Sequence, residues 1–407
     1  MADILFVHNN FPGQFGHVAY ELTQRGHRCA AIAGPLAGRV TGVMIGKYSE
    51  PASPAQGLHP WARRVETDAR RAEAALRIGG KLQEQGFNPR LIIGHPAWGE
   101  TLALRELFPD APQILHGELY IPTEGGDIGF DPEQGPWTLD DRARGRLVNL
   151  TLALPYLEAD AIVCPTAYQA ASFPAALQSK IRIIHEGIGT DDIRPDPAAT
   201  FVLPDGRELG RATPLITFVA RKLEPFRGYH ILMRALPQVL AALPTAEVLI
   251  IGAEGRGYGF RSPPPEGWKQ QYLDEVKDRL DLSRIHFTGK LPHAQMIRAV
   301  QASSAHVYYS YPFVLSWSLL EAMSAGALVV ASDTAAVREV VVDGENGLLG
   351  DFFDVDGLAR RLIAACERPA DFQPLREAAR RTVVGRYDRA RLCLPAWLAL
   401  VEEMLAR

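Results

Sequence analysis

The 407-residue chain is 47% apolar and 22% charged, a balance that excludes a disordered or fibrous protein and, at this length, calls for two packed domains. Its 43 basic and 47 acidic residues leave a formal charge of −4, too near neutrality for a nucleic-acid coat or a globally basic membrane binder, so any anion site is local. Four scattered cysteines, Cys29, Cys164, Cys366 and Cys393, show no zinc-ligand spacing and no disulfide framework, which fits a reducing cytoplasm.

The opening Met1-Ala-Asp-Ile-Leu-Phe-Val-His8 has no basic leader, and no later run approaches the roughly 18 apolar residues of a membrane span. The expectation is a soluble protein, able at most to touch the inner face of a membrane. Branched apolar runs at Ile4–Val7, Arg28–Ala33, Leu91–Ile93, Gln113–Leu115, Ala161–Cys164 and Ile181–Ile184 are separated by helix-length segments such as Gln14–Arg25 and Thr67–Gln85. Near-continuous apolar strands alternating with helices predict a parallel sheet covered on both faces. A polar, proline-bearing stretch from Gly189 to Ala212 reads as a linker, after which the pattern restarts at Leu215–Val219, Glu247–Ile251, Ile285–Phe287, His306–Tyr309 and Leu328–Ala331.

The predicted organisation is therefore α/β: a first doubly wound domain over residues 1–190, a linker over 191–212 and a second doubly wound domain over 213–386. An amphipathic tail helix follows over 387–407, with Trp397 among its apolar residues. Ligands of open α/β sheets bind beyond the carboxyl ends of the strands, so the chemistry is expected in a cleft between two such domains. Gly255–Gly267, with its Pro263-Pro-Pro265 run, reads equally as a loop over that cleft or as a disordered insertion.

Three segments carry the functional signal. Phe11-Pro-Gly-Gln-Phe15 follows the first strand and opens a helix, where Gly13 permits close backbone approach and the free amides favour an anion; a plain turn feeding a helix reads the same way. Arg221-Lys-Leu-Glu-Pro-Phe-Arg-Gly228 sets cations at the carboxyl end of a strand, placed to hold a diphosphate, although a solvated turn has the same composition. In Tyr311-Pro-Phe-Val-Leu-Ser-Trp-Ser-Leu-Leu-Glu321 a tight loop opens a helix near Ser316, and Glu321 lies one to two turns in, where a buried carboxylate needs a partner such as a ribose diol.

Together with Asp343-Gly-Glu-Asn-Gly-Leu-Leu349, these segments make the second half resemble glycosyltransferase family 4. Phe11–Phe15, His95-Pro-Ala-Trp-Gly-Glu100, Gly129-Phe-Asp-Pro-Glu133 and Tyr311–Trp317 are similar to a bacterial subgroup of it, over about residues 3 to 385. The resemblance implies the GT-B fold, with the C-terminal helix crossing back to the first domain on Trp397, and a retaining, metal-independent transferase with no cofactor, using a nucleotide diphosphate sugar, UDP- or GDP-linked, as donor. It places Arg221, Lys222 and Arg227 on the diphosphate with Gly13 and Gln14 beside them, Glu321 on the ribose, and Gly289, Lys290 and Leu291 at the base. Phe313, Val314, Leu315 and Ser316 form the donor-sugar loop.

The chain departs from the family at Phe313, eight positions before Glu321, where most members carry a first glutamate thought to act at the donor sugar. His116, with Glu118 as a competitor, is the candidate catalytic group, and His95, Trp98 and Glu100 fall on the acceptor side; a hydrogen-bonded structural histidine is the other reading of His116. The aromatic and acidic stretch Gly117–Trp137 suits a sugar acceptor or a plain loop. The basic run Asp141–Arg146 suits lipid phosphates or a solvated helix face. The implied partners are the donor and a carbohydrate or lipid-linked acceptor of bacterial cell-surface polysaccharide or glycolipid synthesis, with no nucleic acid. Two other reactions keep the same fold: sugar-nucleotide binding without transfer, and epimerisation or phosphorolysis.

Overall fold

The computed structural model describes residues 1–49, 56–122, 125–259 and 261–407; parts of Gly117–Trp137 and Gly255–Gly267 fall outside that range. The chain divides into two compact units. Unit 1 comprises Met1–Ile128, Pro136–Gly187 and Ala390–Arg407, and unit 2 comprises Gly129–Gly135 and Ile188–Arg389.

Unit 1 is built on β1 (Asp3–Val7), β2 (Arg28–Ala33), β3 (Val43–Lys47), β4 (Leu91–Gly94), β5 (Gln113–His116), β6 (Ala161–Cys164) and β7 (Ile181–Ile183). Their order is β3-β2-β1-β4-β5-β6-β7 and every pairing is parallel. The central strands are apolar on both sides because both faces are covered: Ile4, Leu5, Phe6 and Val7 are all fully buried. The alternate residues Ile4 and Phe6 join the cluster with Phe15 and Val18, and Leu5 and Val7 the cluster with Ala75 and Leu82. β1 has β2 on one side and β4 on the other, so the winding reverses there and a crevice opens at the carboxyl ends of β1 and β4.

The C-terminal helix Leu394–Leu405 belongs to unit 1. Trp397 is buried among Phe15, Val18, Leu22 and Met404, with its ring 6.2 Å from that of Phe15 in edge contact. Trp397 thus seats the tail helix in the core of unit 1.

Unit 2 carries β8 (Thr200–Val202) and β9 (Glu208–Gly210), then β10 (Leu215–Lys222), β11 (Glu247–Ala253), β12 (Ile285–Gly289), β13 (Ala305–Tyr308), β14 (Val329–Ser332) and β15 (Leu348–Gly350). The main sheet runs β12-β11-β10-β13-β14-β15, and its switch point lies between β10 and β13. The stretch expected as a linker is different: β8 and β9 pair as an antiparallel hairpin whose Phe201, Leu203 and Leu209 are buried with Leu215, Leu249 and Ile251. Three alternating apolar side chains are enough to seat a short hairpin on the sheet despite its proline-rich flanks.

Within that sheet His306 is fully buried opposite Thr217, whose hydroxyl lies 2.9 Å from its Nδ1. Burial pulls its imidazole down to about 4 from the usual 6.5. The unfolded chain takes up this proton near pH 6.5 and the folded chain does not, so the stabilisation is complete above pH 6.5 and is lost as the pH falls toward 4. At about 1.4 kcal/mol per unit it amounts to roughly 3 kcal/mol. Urea unfolding between pH 7 and pH 5 is expected to show this acid limb, flattened by one proton in His306→Gln; an unchanged slope in that variant would remove His306 as its cause.

All four cysteines are buried free thiols. Among the described residues, no helix is long and apolar enough to cross a membrane.

Candidate donor and acceptor sites

In unit 2 the cations expected at the diphosphate gather at the switch point. β10 delivers Arg221 and Lys222, and the short turn Pro225–Arg227 delivers Arg227. Arg227 is 8% exposed and donates from a guanidinium nitrogen to Ser310 Oγ at 2.9 Å, bridging from the β10 side to the residue that ends the β13 strand region. Three aromatic rings surround it, with Tyr258, Phe226 and Phe313 at 5.2, 5.7 and 5.9 Å from its guanidinium carbon. Phe313 is thus one wall of an aromatic cage around the cation.

Arg221 stacks on Tyr258 at 5.7 Å, and Lys222 donates to the carbonyl of Glu254. Gly228 sits at φ +70°, where an added Cβ would lie 2.3 Å from Tyr309 Cβ, so this backbone approach requires glycine. A cavity of about 60 Å³ is lined by Arg221, Arg227, Tyr258, Tyr309, Ser316 and Ser318 among others.

The helix Trp317–Ser324 starts beside that cavity, and Ser316 caps it by accepting from the Ser318 amide. Unsatisfied amides at a helix start favour an anion. Glu321 lies on this helix and its carboxylate bonds His293 Nε2 at 2.8 Å. Gly289 ends β12 and Lys290 and Leu291 lead from it toward the helix His293–Ala302, so the β12 end and the Glu321 helix are tied together through His293. Val314 and Leu315 complete the loop between Phe313 and the cap.

Glu224 went unremarked in the sequence. It is buried, accepts from the Tyr258 amide at 3.1 Å and is pushed above the usual carboxylate range by burial, against the pull of that bond and of Arg227. Its position within the basic segment was the available signal.

Unit 1 gathers three histidines at its own switch point: His8 after β1, His95 after β4 and His116 ending β5. His8 and His95 stand 5.2 Å apart between ring centres, His95 and His116 4.8 Å, and Trp98 covers His95 at 4.6 Å. His8 Nδ1 accepts from the Asn10 amide at 2.9 Å, so the ring carries its proton on Nε2 and donates to Gln14 Oε1 at 2.8 Å. Burial lowers His8 to about 4 and lowers His95 and His116 as well, the neighbouring imidazoles adding to the effect on His95 and Glu186 opposing it on His116. The cluster is neutral at pH 7.

Gly13, at φ +45°, is where a Cβ would meet His8 Nε2 at 2.4 Å; the room that this glycine leaves is filled by the His8 ring. Glu118 and Glu186 approach His95 and His116 at 3.6 and 3.8 Å. His95 Nε2 and His116 Nδ1 are buried without a hydrogen-bond partner, which leaves polar atoms in the cluster suited to sugar hydroxyls. Glu100 stands apart: it is fully buried and accepts from Tyr48 and Asn9.

Asp131, Glu133 and His230 each present a ligand atom within 4.8 Å of the others, the spacing of a metal site. Their oxygens are already engaged, Asp131 by Tyr311 and Glu133 by Arg234, and a guanidinium beside the site opposes a cation.

Two parallel sheets, each with polar chemistry at its switch point, define the GT-B class of glycosyltransferase folds. Residues 25–193 match the glycosyl transferase family 4 group and residues 207–382 match glycosyl transferases group 1. Between them the two matches take in most of both halves of the chain, each half resembling a glycosyltransferase domain. A phosphatidyl-myo-inositol mannosyltransferase of Mycolicibacterium smegmatis is 34% identical over 158 residues, 37% of this chain and 36% of that protein; the chain thus aligns with little over a third of that relative's length. The sucrose-phosphate synthase of Thermosynechococcus elongatus superposes with a TM-score of 0.75 at 16% identity, covering 100% of both chains. An Anabaena protein solved in complex with UDP-glucose gives 0.66 at 15% identity, covering 99% of this chain and 100% of that one.

Proposed function

We propose that the protein transfers a sugar, with retention at the anomeric carbon, from a UDP- or GDP-linked donor to a hydroxyl of a carbohydrate or lipid-linked acceptor. Unit 2 is the donor side: Arg221, Lys222 and Arg227 take the diphosphate, Glu321 the ribose in place of His293, the backbone of Gly289–Leu291 the base, and the Phe313–Ser316 loop the sugar. Unit 1 is the acceptor side, with the imidazole cluster receiving hydroxyls and His116 and Glu118 nearest the chemistry.

The observation that carries this reading is Arg227, a nearly buried cation fixed by Ser310 at the sheet's switch point. As the glycosidic bond breaks, positive charge spreads over the sugar ring and negative charge collects on the departing diphosphate. A preorganised guanidinium in a low-dielectric pocket stabilises that charge without reorganising. The Anabaena neighbour's UDP-glucose and the M. smegmatis relative's inositol-lipid acceptor support the substrate classes.

The test is a thermal-shift screen of the full chain against nucleoside diphosphates and their sugars, since a ligand at one hundred times its Kd adds about 2.7 kcal/mol. One base is expected to give a shift that Glu321→Ala removes and chelator does not alter. No shift with any nucleotide would end the donor assignment. Phe313 in place of an acid favours one rival, binding without transfer, which predicts saturable donor binding and no product with any acceptor.

A membrane-borne acceptor has a surface to meet. On the helix Leu139–Glu158, Leu150, Leu154 and Leu157 are exposed on the same side as Arg142 and Arg146, a basic and apolar face suited to an anionic bilayer. Sedimentation with phosphatidylglycerol vesicles is expected and should be lost in Leu154→Ser/Leu157→Ser; equal binding to phosphatidylcholine, or none to either, would remove this contact.

A further inference from the structure

The segment Gly129–Gly135 lies in sequence between two pieces of unit 1, yet it packs as part of unit 2. Its attachments are specific. The Phe130 ring lies 5.1, 5.2 and 5.3 Å from the rings of Tyr311, Phe352 and Phe353. Asp131 is 2% exposed; it accepts from the Tyr311 hydroxyl and from the Glu133 amide at 2.9 Å, and its Oδ2 lies 3.2 Å from His230 Nε2. Glu133 forms a two-pronged pair with Arg234, and Arg261 donates to the Gln134 carbonyl at 2.9 Å.

A carboxylate in such a place is costly unless fully bonded. Burial pushes Asp131 up, but the nearby His230 imidazole and the bonds from Tyr311 and the Glu133 amide outweigh it and hold the group below the ordinary carboxylate range. Packing alone would be served as well by an apolar residue. What a carboxylate adds is direction, because it fixes where the Tyr311 hydroxyl points.

Tyr311 is the node through which that direction reaches the donor side. It follows Ser310, the partner of Arg227, and precedes Pro312 and Phe313. Its amide donates to the Phe226 carbonyl at 3.1 Å, next to Arg227. Its ring lies 5.0 Å from that of Phe226, which in turn meets Phe313 edge-on at 4.9 Å. One phenol therefore touches the strap, the basic segment and the loop in which a phenylalanine stands where the family has an acid.

We propose that Asp131 is a positioning residue for the donor site, acting through the Tyr311 hydroxyl to set the Tyr311–Ser316 loop and the aromatic cage around Arg227. The inference rests on the donor site proposed above. The strap takes no part in the chemistry; it holds the loop in the geometry that the diphosphate and donor sugar need, and unit 2 is incomplete without it.

The experiment is calorimetric titration of the full-length protein with UDP and GDP, well below the melting temperature. Wild type and Arg227→Ala test the donor site. Asp131→Ala, Asp131→Asn, Tyr311→Phe and the Asp131→Ala/Tyr311→Phe double variant test the strap, with Glu133→Gln as a control that cuts only its solvent-facing pair. Tyr311→Phe and Asp131→Ala are each expected to weaken the nucleotide at least tenfold. The double variant should be no weaker than the worse single, Asp131→Asn should recover most of the loss because it keeps an acceptor oxygen, and Glu133→Gln should bind as wild type. A merely structural strap would shift the melting temperature and leave the affinity alone. If wild type binds neither nucleotide, or Arg227→Ala binds as well as wild type, the donor site fails and this inference with it. If Arg227→Ala loses the nucleotide while Tyr311→Phe keeps it, the positioning role alone is overturned. Should Asp131→Ala not fold, the near-isosteric Tyr311→Phe decides.

Discussion

Arg227→Ala is expected to weaken nucleoside diphosphate binding about 100-fold and to slow any transfer at least as much. A charge-assisted hydrogen bond contributes about 1.5–3 kcal/mol, and loss of one transition-state donor of this kind costs about 3 kcal/mol of barrier. Arg227→Lys separates charge from shape. Lysine keeps the positive charge but loses the planar fork toward Ser310 and the stacking on Tyr258, Phe226 and Phe313. It should recover part of the affinity and stay about tenfold below wild type. Melting should fall as well, because the charge-assisted bond to Ser310, worth about 1.5–3 kcal/mol, and the three ring contacts are lost inside the protein, so the affinity is read well below the melting temperature. Calorimetric titration and a melting curve on the same samples check both claims. A collapse in melting with unchanged affinity would make Arg227 a structural residue.

Trp397→Ala should be the most destabilising single change in unit 1, at about 3–5 kcal/mol for a buried aromatic replaced by a methyl. The indole lies in the main cluster of unit 1 and its Nε1 has no hydrogen-bond partner, so what is lost is packing and nothing polar. Trp397→Phe, which breaks no bond and keeps an edge contact with Phe15, should cost about half as much. The loss belongs to unit 1, so denaturant unfolding followed by circular dichroism is expected to separate into two transitions, with only the first displaced. A single transition at the wild-type midpoint in Trp397→Ala would show that the C-terminal helix adds nothing to that core.

Strands whose residues are apolar on both faces were legible in the sequence: Arg28–Ala33 and Ala161–Cys164 are observed with the boundaries read from the chain, and the others within a residue or a few. Those missed lacked that signature. Val43–Lys47 is an edge strand with a mixed, half-exposed pattern, β8 and β9 are three residues each around a Pro-Asp-Gly turn that reads as linker, and β15 is a three-residue edge strand too short to show a pattern.

At the candidate site, the basic segment and the Glu321 helix were legible because each is a local run placed after a strand. What a run cannot show is which distant residue completes it. Ser310 reaches Arg227 across 83 positions and Tyr311 reaches Asp131 across 180, while His8, His95 and His116 come from three strands that only the sheet order brings side by side. No periodicity or spacing carries that information. The Gly129–Glu133 motif was visible as a pattern, and its use emerges only when the segment is seen to pack on unit 2.

The discontinuity of unit 1 also bears on how the protein is made. A chain synthesised from its N-terminus has every residue of unit 2 once Arg389 has been added, whereas unit 1 still lacks Ala390–Arg407. The usual order, in which the N-terminal domain folds first as it emerges from the ribosome, cannot be completed for unit 1 before Ala390–Arg407 are made. The first sheet waits, with the seat around Phe15, Val18 and Leu22 open to solvent, until the last helix brings Trp397 into it. A chain without Ala390–Arg407 lacks the helix that fills that apolar seat, so the core of unit 1 is completed by residues far from the rest of it in sequence.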